Sequence, residues 1–136
     1  MSAILIDTSA IFAFVNRMDY EHKAALAFTQ KWVAQNNQFV LPDIIFAESM
    51  TLLKARLGAD IAIKAGSVLR TNSIYRWTAL DADTEAEAWT IFQRYRDKEW
   101  SFVDCAMLAL ARKLKLAQVF SYDHHFEQMP GLRRVG

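Results

Sequence analysis

Four acidic residues stand at positions where carboxylates could do chemistry together. Asp7 closes the apolar run "AILI", and Glu48 sits inside "DIIFAESMTLL" (Asp43–Leu53). Asp104 begins the apolar stripe of "SFVDCAMLALARK", and Asp123 follows "AQVFS" by one residue. Carboxylates that converge on one crevice repel and raise each other's pKa unless a cation offsets them. An all-oxygen, carboxylate-rich site suits Mg2+ or Mn2+ better than zinc. Such a site activates water and stabilises charge on a phosphodiester during in-line hydrolysis, with one metal or two about 4 Å apart.

Each acid also has a local structural reading. Ser101-x-x-Asp104 resembles a capping box, with Met107, Leu108 and Ala111 continuing the helical face. Asp7 is placed to cap a helix "TSAIF", and Asp123 a turn before Phe126. Glu48 is harder to place this way. Ile44, Ile45 and Leu52 share its helical face, and Phe46, Met50, Leu53 and Leu57 occupy the other side. A mid-helix glutamate surrounded by apolar residues is costly unless paired. Lys54 and Arg56 have the wrong spacing, which leaves a distant basic partner as the alternative to a cation site.

The elements that must position these acids follow from periodicity. Strands are expected at Ala3–Asp7, Gln38–Leu41, Ser73–Leu80 and Ala117–Ser121, with "LRRV" as a fifth strand at an edge. Helices are expected in "SAIFAFVN", "DYEHKAALAFTQKWVAQ", the Pro42-Asp43 segment up to Gly58, and "DIAIKAGSVLR". Two more follow in "TEAEAWTIFQRYR", capped by Asp81 or Asp83, and "SFVDCAMLALARKLKL". Alternating strands and helices imply an α/β fold with a parallel sheet covered on both faces. Sites in such sheets form beyond the carboxyl ends of the strands where strand order reverses. If the Asp7 and Asp123 strands are neighbours, their carboxylates face each other there.

Composition bounds the alternatives. The 136 residues are expected to form one domain, 1–136, and 53% hydrophobic content excludes disorder. One cysteine forms no internal disulfide, the N-terminal segment lacks a signal-peptide pattern, and no apolar stretch is long enough for a membrane span. A soluble cytoplasmic protein is expected. The net charge of +1 neither advertises nor excludes nucleic acid.

In order and spacing, "AILIDTSAIFAFVN", "LPDIIFAESMTLL", "WSFVDCAMLALARK" and "VFSYDHHFEQMPGL" resemble the four acidic blocks of PIN domains, most nearly the VapC-type toxins of bacterial toxin–antitoxin pairs. The likeness runs from Ile4 to Leu132. It implies a PIN-like three-layer α/β/α sandwich with four to five parallel strands. It implies a metal-dependent endoribonuclease with Asp7, Glu48, Asp104 and Asp123 as its acidic quartet, Asp7 and Asp104 being the main Mg2+ ligands (Mn2+ serving as well). Thr8, Ser9 and Ser121 fall where the family places hydroxyls that steady the acids. The partners implied are an RNA substrate, a cognate antitoxin occupying the groove and a second copy of the toxin in a homodimer. Asp123-His124-His125 departs from the pattern, since a basic residue commonly follows the last acid.

Other readings are weaker. Asp123-His124-His125 spells the DHH phosphoesterase signature, without that class's other aspartate motifs. Asp7-Thr8-Ser9 lacks the second aspartate of the haloacid dehalogenase motif. A receiver domain would need an acidic pair after the first strand. An RNA-processing PIN nuclease and a non-catalytic PIN-fold binding module remain alternatives, although the latter would be expected to have lost an acid. His22 reads as a packing or capping residue. Trp32, Trp77, Trp89 and Trp100 read as core or interface. Asp97 and Glu99 read as solvated residues or rim of the site, and Arg112, Lys113, Lys115, Arg133 and Arg134 are candidates to guide RNA phosphates.

Overall fold

The computed structural model describes residues 2–136. In chain order the elements are β1 (Ala3–Ile6), α1 (Thr8–Val15), α2 (His22–Ala34), β2 (Gln38–Pro42), α3 (Asp43–Leu57) and α4 (Ala59–Thr71). There follow β3 (Tyr75–Thr78), α5 (Ala82–Arg94), α6 (Phe102–Leu114), β4 (Gln118–Phe120), a short 3-10 turn (His124–Gln128) and β5 (Arg133–Val135). These match the expected elements, with ends shifted by up to three residues. The fifth strand is present, at the edge.

The sheet order is β3-β2-β1-β4-β5, and every pairing is parallel. The chain builds outward from β1 through β2 to β3, then returns to β4 on the other side. Strand order therefore reverses between β1 and β4, and a crevice opens beyond their carboxyl ends.

Both faces of the central strands are buried, as their unbroken apolar runs require. Register puts Ile4 beside Phe39, Ile6 beside Phe120, and Phe39 beside Tyr75 on one face. There Phe39, Phe120 and Tyr75 stack at 5.6–5.8 Å, and Phe28 of α2 closes on Phe120 at 4.5 Å. The other face carries Leu5, Val40 and Val119, all fully or nearly fully buried. The helices fall into two packed sets: α1 contacts α2 and α3, α3 contacts α4, and α5 pairs with α6.

Two glycines serve close geometry. Gly58, at φ +94°, turns the chain between α3 and α4 in a backbone conformation that residues with a Cβ rarely adopt. A Cβ on Gly66 would lie 2.7 Å from Met50 Sδ, so a larger residue there would push the flexible Met50 side chain aside.

α6 is the central helix. Ser101 accepts from the Asp104 amide at 3.0 Å, and Asp104 Oδ2 accepts from the Ser101 amide at 3.0 Å, completing the capping box. Residues 104–111 are all buried, and three alanines among them allow close packing. Arg112 and Lys113 complement the negative end of the helix dipole. Asp104 stands in the first turn of this helix.

Candidate active site

The β1–β4 pairing continues past the strands: the Asp7 amide donates to the Phe120 carbonyl at 3.0 Å. That extension sets Asp7 beside Ser121. Ser121 and Ser9 donate to Asp7 Oδ2 at 2.9 and 3.0 Å, and their hydroxyls lie 3.0 Å apart. Ser121 also accepts from the Asp123 amide, and Ser9 from the Tyr122 amide. Two hydroxyls thus tie the first acid to the loop carrying the last one. Asp7 is the N-cap residue of α1, but its side chain makes no capping bond.

Asp7 is 5% exposed, and burial pushes its pKa up to about 6. The Ser121 and Ser9 hydroxyls oppose that rise, and the nearby Asp104 charge adds to it. A carboxylate held this way carries charge that the protein leaves uncompensated, and a bound cation would supply the missing balance. Cys105, next to Asp104, is pushed up to about 11, first by burial and then by the Asp104 charge, so it is a poor nucleophile.

Asp104, Asp123 and His125 converge, each offering a ligand atom within 4.8 Å of the others. Asp123 Oδ1 accepts from the His125 amide at 2.9 Å, making it the cap of the 3-10 turn. His125 Nδ1 lies 3.2 Å from Asp104 Oδ2 and 3.4 Å from Asp123 Oδ1. Protein donors reach only Oδ2 of Asp104 and only Oδ1 of Asp123 among the described residues, which leaves the second oxygen of each for a ligand.

The sequence reading of Glu48 as a glutamate among apolar residues is corrected. Glu48 is exposed, with no ion-pair or hydrogen-bond partner among the described residues. The buried stripe of α3 is Ile45, Ser49 and Leu53, which turns Glu48 to one side of it. Glu48 lies outside the Asp104–Asp123–His125 group. Its neighbour Ser49 donates to the Thr8 hydroxyl at 3.4 Å, which ties this turn of α3 to the residue after Asp7. Of the three expected supporting hydroxyls, Ser9 and Ser121 hold an acid, whereas that of Thr8 bonds to Ser49 instead.

The basic candidates separate by position. Lys115 and Arg133 line a cleft with Ser2, Ala3 and Gln118 at the amino ends of the strands, opposite the acids. Arg112 and Lys113 pair with Glu87 and Asp81. Arg134 is held by Glu127 and the Ser121 carbonyl. His22 contacts the Ala13 carbonyl at 2.9 Å, a packing role, and buried Trp100 donates to Gln128. Trp77 and Trp89 are exposed, while Asp97 and Glu99 lie in solvent. The sequence reading noted His125 without giving it a role; its spacing two residues after Asp123 was the available signal.

Ser121→Ala is expected to destabilise the protein by about 1–3 kcal/mol, because it orphans the part-buried Asp123 amide and strips a donor from buried Asp7. Chemical denaturation checks this, and an unchanged midpoint would show that the serine pair does not organise the site.

The fold and this acidic crevice at the switch point define the class. A family model described as PIN domain matches residues 4–132, and the chain belongs to that family. The chain is 29% identical over 123 residues to VapC20 of Mycobacterium tuberculosis, named a 23S rRNA-specific endonuclease, covering 90% of this chain and 91% of the relative. The crystal structure of that VapC20, described as a Sarcin-Ricin loop cleaving toxin, superposes with a TM-score of 0.83 at 28% identity, covering 92% of this chain and 93% of that one. VapBC2 from Rickettsia felis, bound to a DNA fragment from its promoter, shares the fold at a TM-score of 0.72 and 12% identity, covering 99% and 98%.

Proposed function

We propose that this protein is a metal-dependent endoribonuclease acting as the toxin of a toxin–antitoxin pair. The observation that carries the reading is the convergence of Asp104 and Asp123 at the switch point, with Asp7 near enough to feel the Asp104 charge, in a PIN-domain chain alignable with VapC20 over nine-tenths of its length. Asp7, Asp104 and Asp123 would hold the cation. Glu48, exposed on α3, would complete the set from the solvent side, a role that rests on the family likeness. The donor set fits Mg2+ or Mn2+: it is dominated by carboxylate oxygens, and the charge on Asp7 is poorly compensated by protein groups. A divalent cation supplies Lewis-acid polarisation of a phosphodiester and an acidified water.

The chain's own residues do the rest. Ser9 and Ser121 fix the Asp7 carboxylate, and the capping box fixes Asp104 through its backbone. The 3-10 turn fixes Asp123. The strand ends hold the acids on rigid elements, so little reorganisation is needed when an RNA phosphate enters.

The proposed substrate is a loop of 23S ribosomal RNA, by likeness to VapC20. The proposed partner is an antitoxin. A cleft of about 810 Å3 between α1, α2 and α4, lined by Phe14, Leu26, Ile61 and Val68, is suited to an apolar segment of such a protein. A homodimer is also proposed, for which the exposed Trp89–Phe92 pair offers an apolar patch. No helix among the described residues is long and apolar enough to cross a membrane, and we place the protein in the cytoplasm with its RNA. We take residues 1–136 to act as one domain.

Purified protein should cleave total RNA at one site in 23S rRNA with Mg2+ or Mn2+ and stop when a chelator is added. Cleavage that persists in chelator would overturn the metal-dependent reading. Cleavage spread over unrelated RNAs would overturn the ribosomal assignment alone.

A further inference from the structure

We infer that Trp100 and Gln128 are positioning residues, whose mutual hydrogen bond sets the spacing of Asp104 and Asp123 in the crevice. The inference rests on the proposal that these acids hold a divalent cation. Neither residue touches the reacting atoms; both act through the acids.

Two separate elements must bring Asp104 and Asp123 together. Asp104 belongs to the first turn of α6, and Asp123 caps the 3-10 turn His124–Gln128. Trp100 Nε1 donates to Gln128 Oε1 at 3.0 Å, across 28 residues of chain. Trp100 immediately precedes Ser101, which caps α6 and accepts from the Asp104 amide. Gln128 ends the turn that Asp123 caps. The bond therefore joins the start of one acid-bearing element to the far end of the other.

Both partners are constrained. Trp100 is 4% exposed, and its ring lies 4.7 Å from that of Tyr95. An indole N–H can only donate, so it selects the oxygen of the Gln128 amide. Leaving that donor unpartnered on a buried ring is costly, which favours the bond. The turn is pinned at two more residues. Phe126 is fully buried, and Glu127 accepts from Arg134, which also donates to the Ser121 carbonyl. Those contacts tie the turn to the core and to β4 and β5, but not to α6. The other hydrogen bond from the turn to the start of α6 runs from His125 to Asp104 and draws on a carboxylate oxygen. The Trp100–Gln128 bond holds the spacing without using one. Site geometry must be kept within about 0.5 Å, and losing an outer partner of a metal ligand costs about 10–100-fold in affinity or activity.

The experiment uses the full chain, unsubstituted and as Gln128→Met and Gln128→Glu. Methionine keeps the side-chain length and removes the acceptor, whereas glutamate keeps an oxygen for the indole. Gln128 is exposed, so neither variant opens the core. In metal-free protein, NMR should show the Trp100 indole proton moving upfield in Gln128→Met and holding its place in Gln128→Glu. An indole proton unmoved in Gln128→Met would show that the bond is not made, which overturns the inference. By calorimetry, Mn2+ affinity should fall about tenfold in Gln128→Met. At saturating Mn2+ and RNA, kcat should fall by a similar factor with KM for RNA unchanged, and Gln128→Glu should restore it. Loss of the bond with Mn2+ affinity and kcat both unchanged would also overturn the inference and leave the acidic site standing. Unsubstituted protein that binds no divalent ion would overturn the acidic-site reading, and this inference with it.

Discussion

Asp7→Asn is expected to stabilise the cation-free protein while removing RNA cleavage. Asp7 has a folded-state pKa of about 6 against an ordinary value of 3.8, because it is buried. Between those values the native chain keeps a proton that the unfolded chain has released. Stability conferred by the protonated carboxyl is therefore lost as pH rises from about 4 through about 6. Above that window the buried charge costs up to about 3 kcal/mol, from a shift of about two units at about 1.4 kcal/mol each. Asparagine removes the charge and still accepts from Ser9 and Ser121 through its amide oxygen. Urea denaturation in chelator should show the variant more stable near neutral pH, with the two proteins converging near pH 4. A variant less stable at neutral pH would mean that the carboxylate is compensated by a group of the protein itself. Cleavage should fall more than about 100-fold, beyond the cost of losing an outer partner of a metal ligand.

Asp104→Asn should separate folding from catalysis more cleanly. The side chain caps α6 through the Ser101 amide, a bond that an asparagine oxygen can also accept. Fold stability should change by no more than about 1 kcal/mol. Cleavage should again drop more than about 100-fold, because the variant loses a charged oxygen from the group formed with Asp123 and His125. A circular dichroism melt beside a cleavage time course reads both effects. Full activity in a folded Asp104→Asn protein would remove Asp104 from the site, and loss of folding would show that its capping role dominates.

The two variants differ for a reason visible in the fold. Asp7 is held by Ser9 two residues on and by Ser121 from 114 residues away, whereas Asp104 is held by its own helix start. Much of the Asp104 arrangement was therefore legible in Ser101-x-x-Asp104. For Asp7, its place at the end of a strand was legible from the residues, and Ser9 and Ser121 as its supports only through the family resemblance. Its burial and its displaced pKa required β4 to lie beside β1.

Glu48 shows where local pattern fails. Its spacing to Ile44, Ile45 and Leu52 describes a face, but periodicity does not say which stripe of a helix meets the sheet. Packing chose Ile45, Ser49 and Leu53 and left Glu48 in solvent. Its exposure removes the argument that the glutamate is explained only by a costly buried charge. Its place in the proposed site rests on family likeness alone. Lys115 and Arg133 teach the same lesson, since sequence cannot say that they lie at the far end of the sheet.

The sequence by itself determined the order of strands and helices, the caps of α5 and α6, and acids at the ends of three of the elements. Those features depend on residues within a turn or two of each other, where backbone propensity and side-chain spacing act directly. The tertiary structure alone decided that β1 and β4 are neighbours, that Asp7 is buried under two serines, and that His125 meets Asp104 across 21 residues. Those outcomes depend on which apolar faces bury one another, a choice made by the whole core at once.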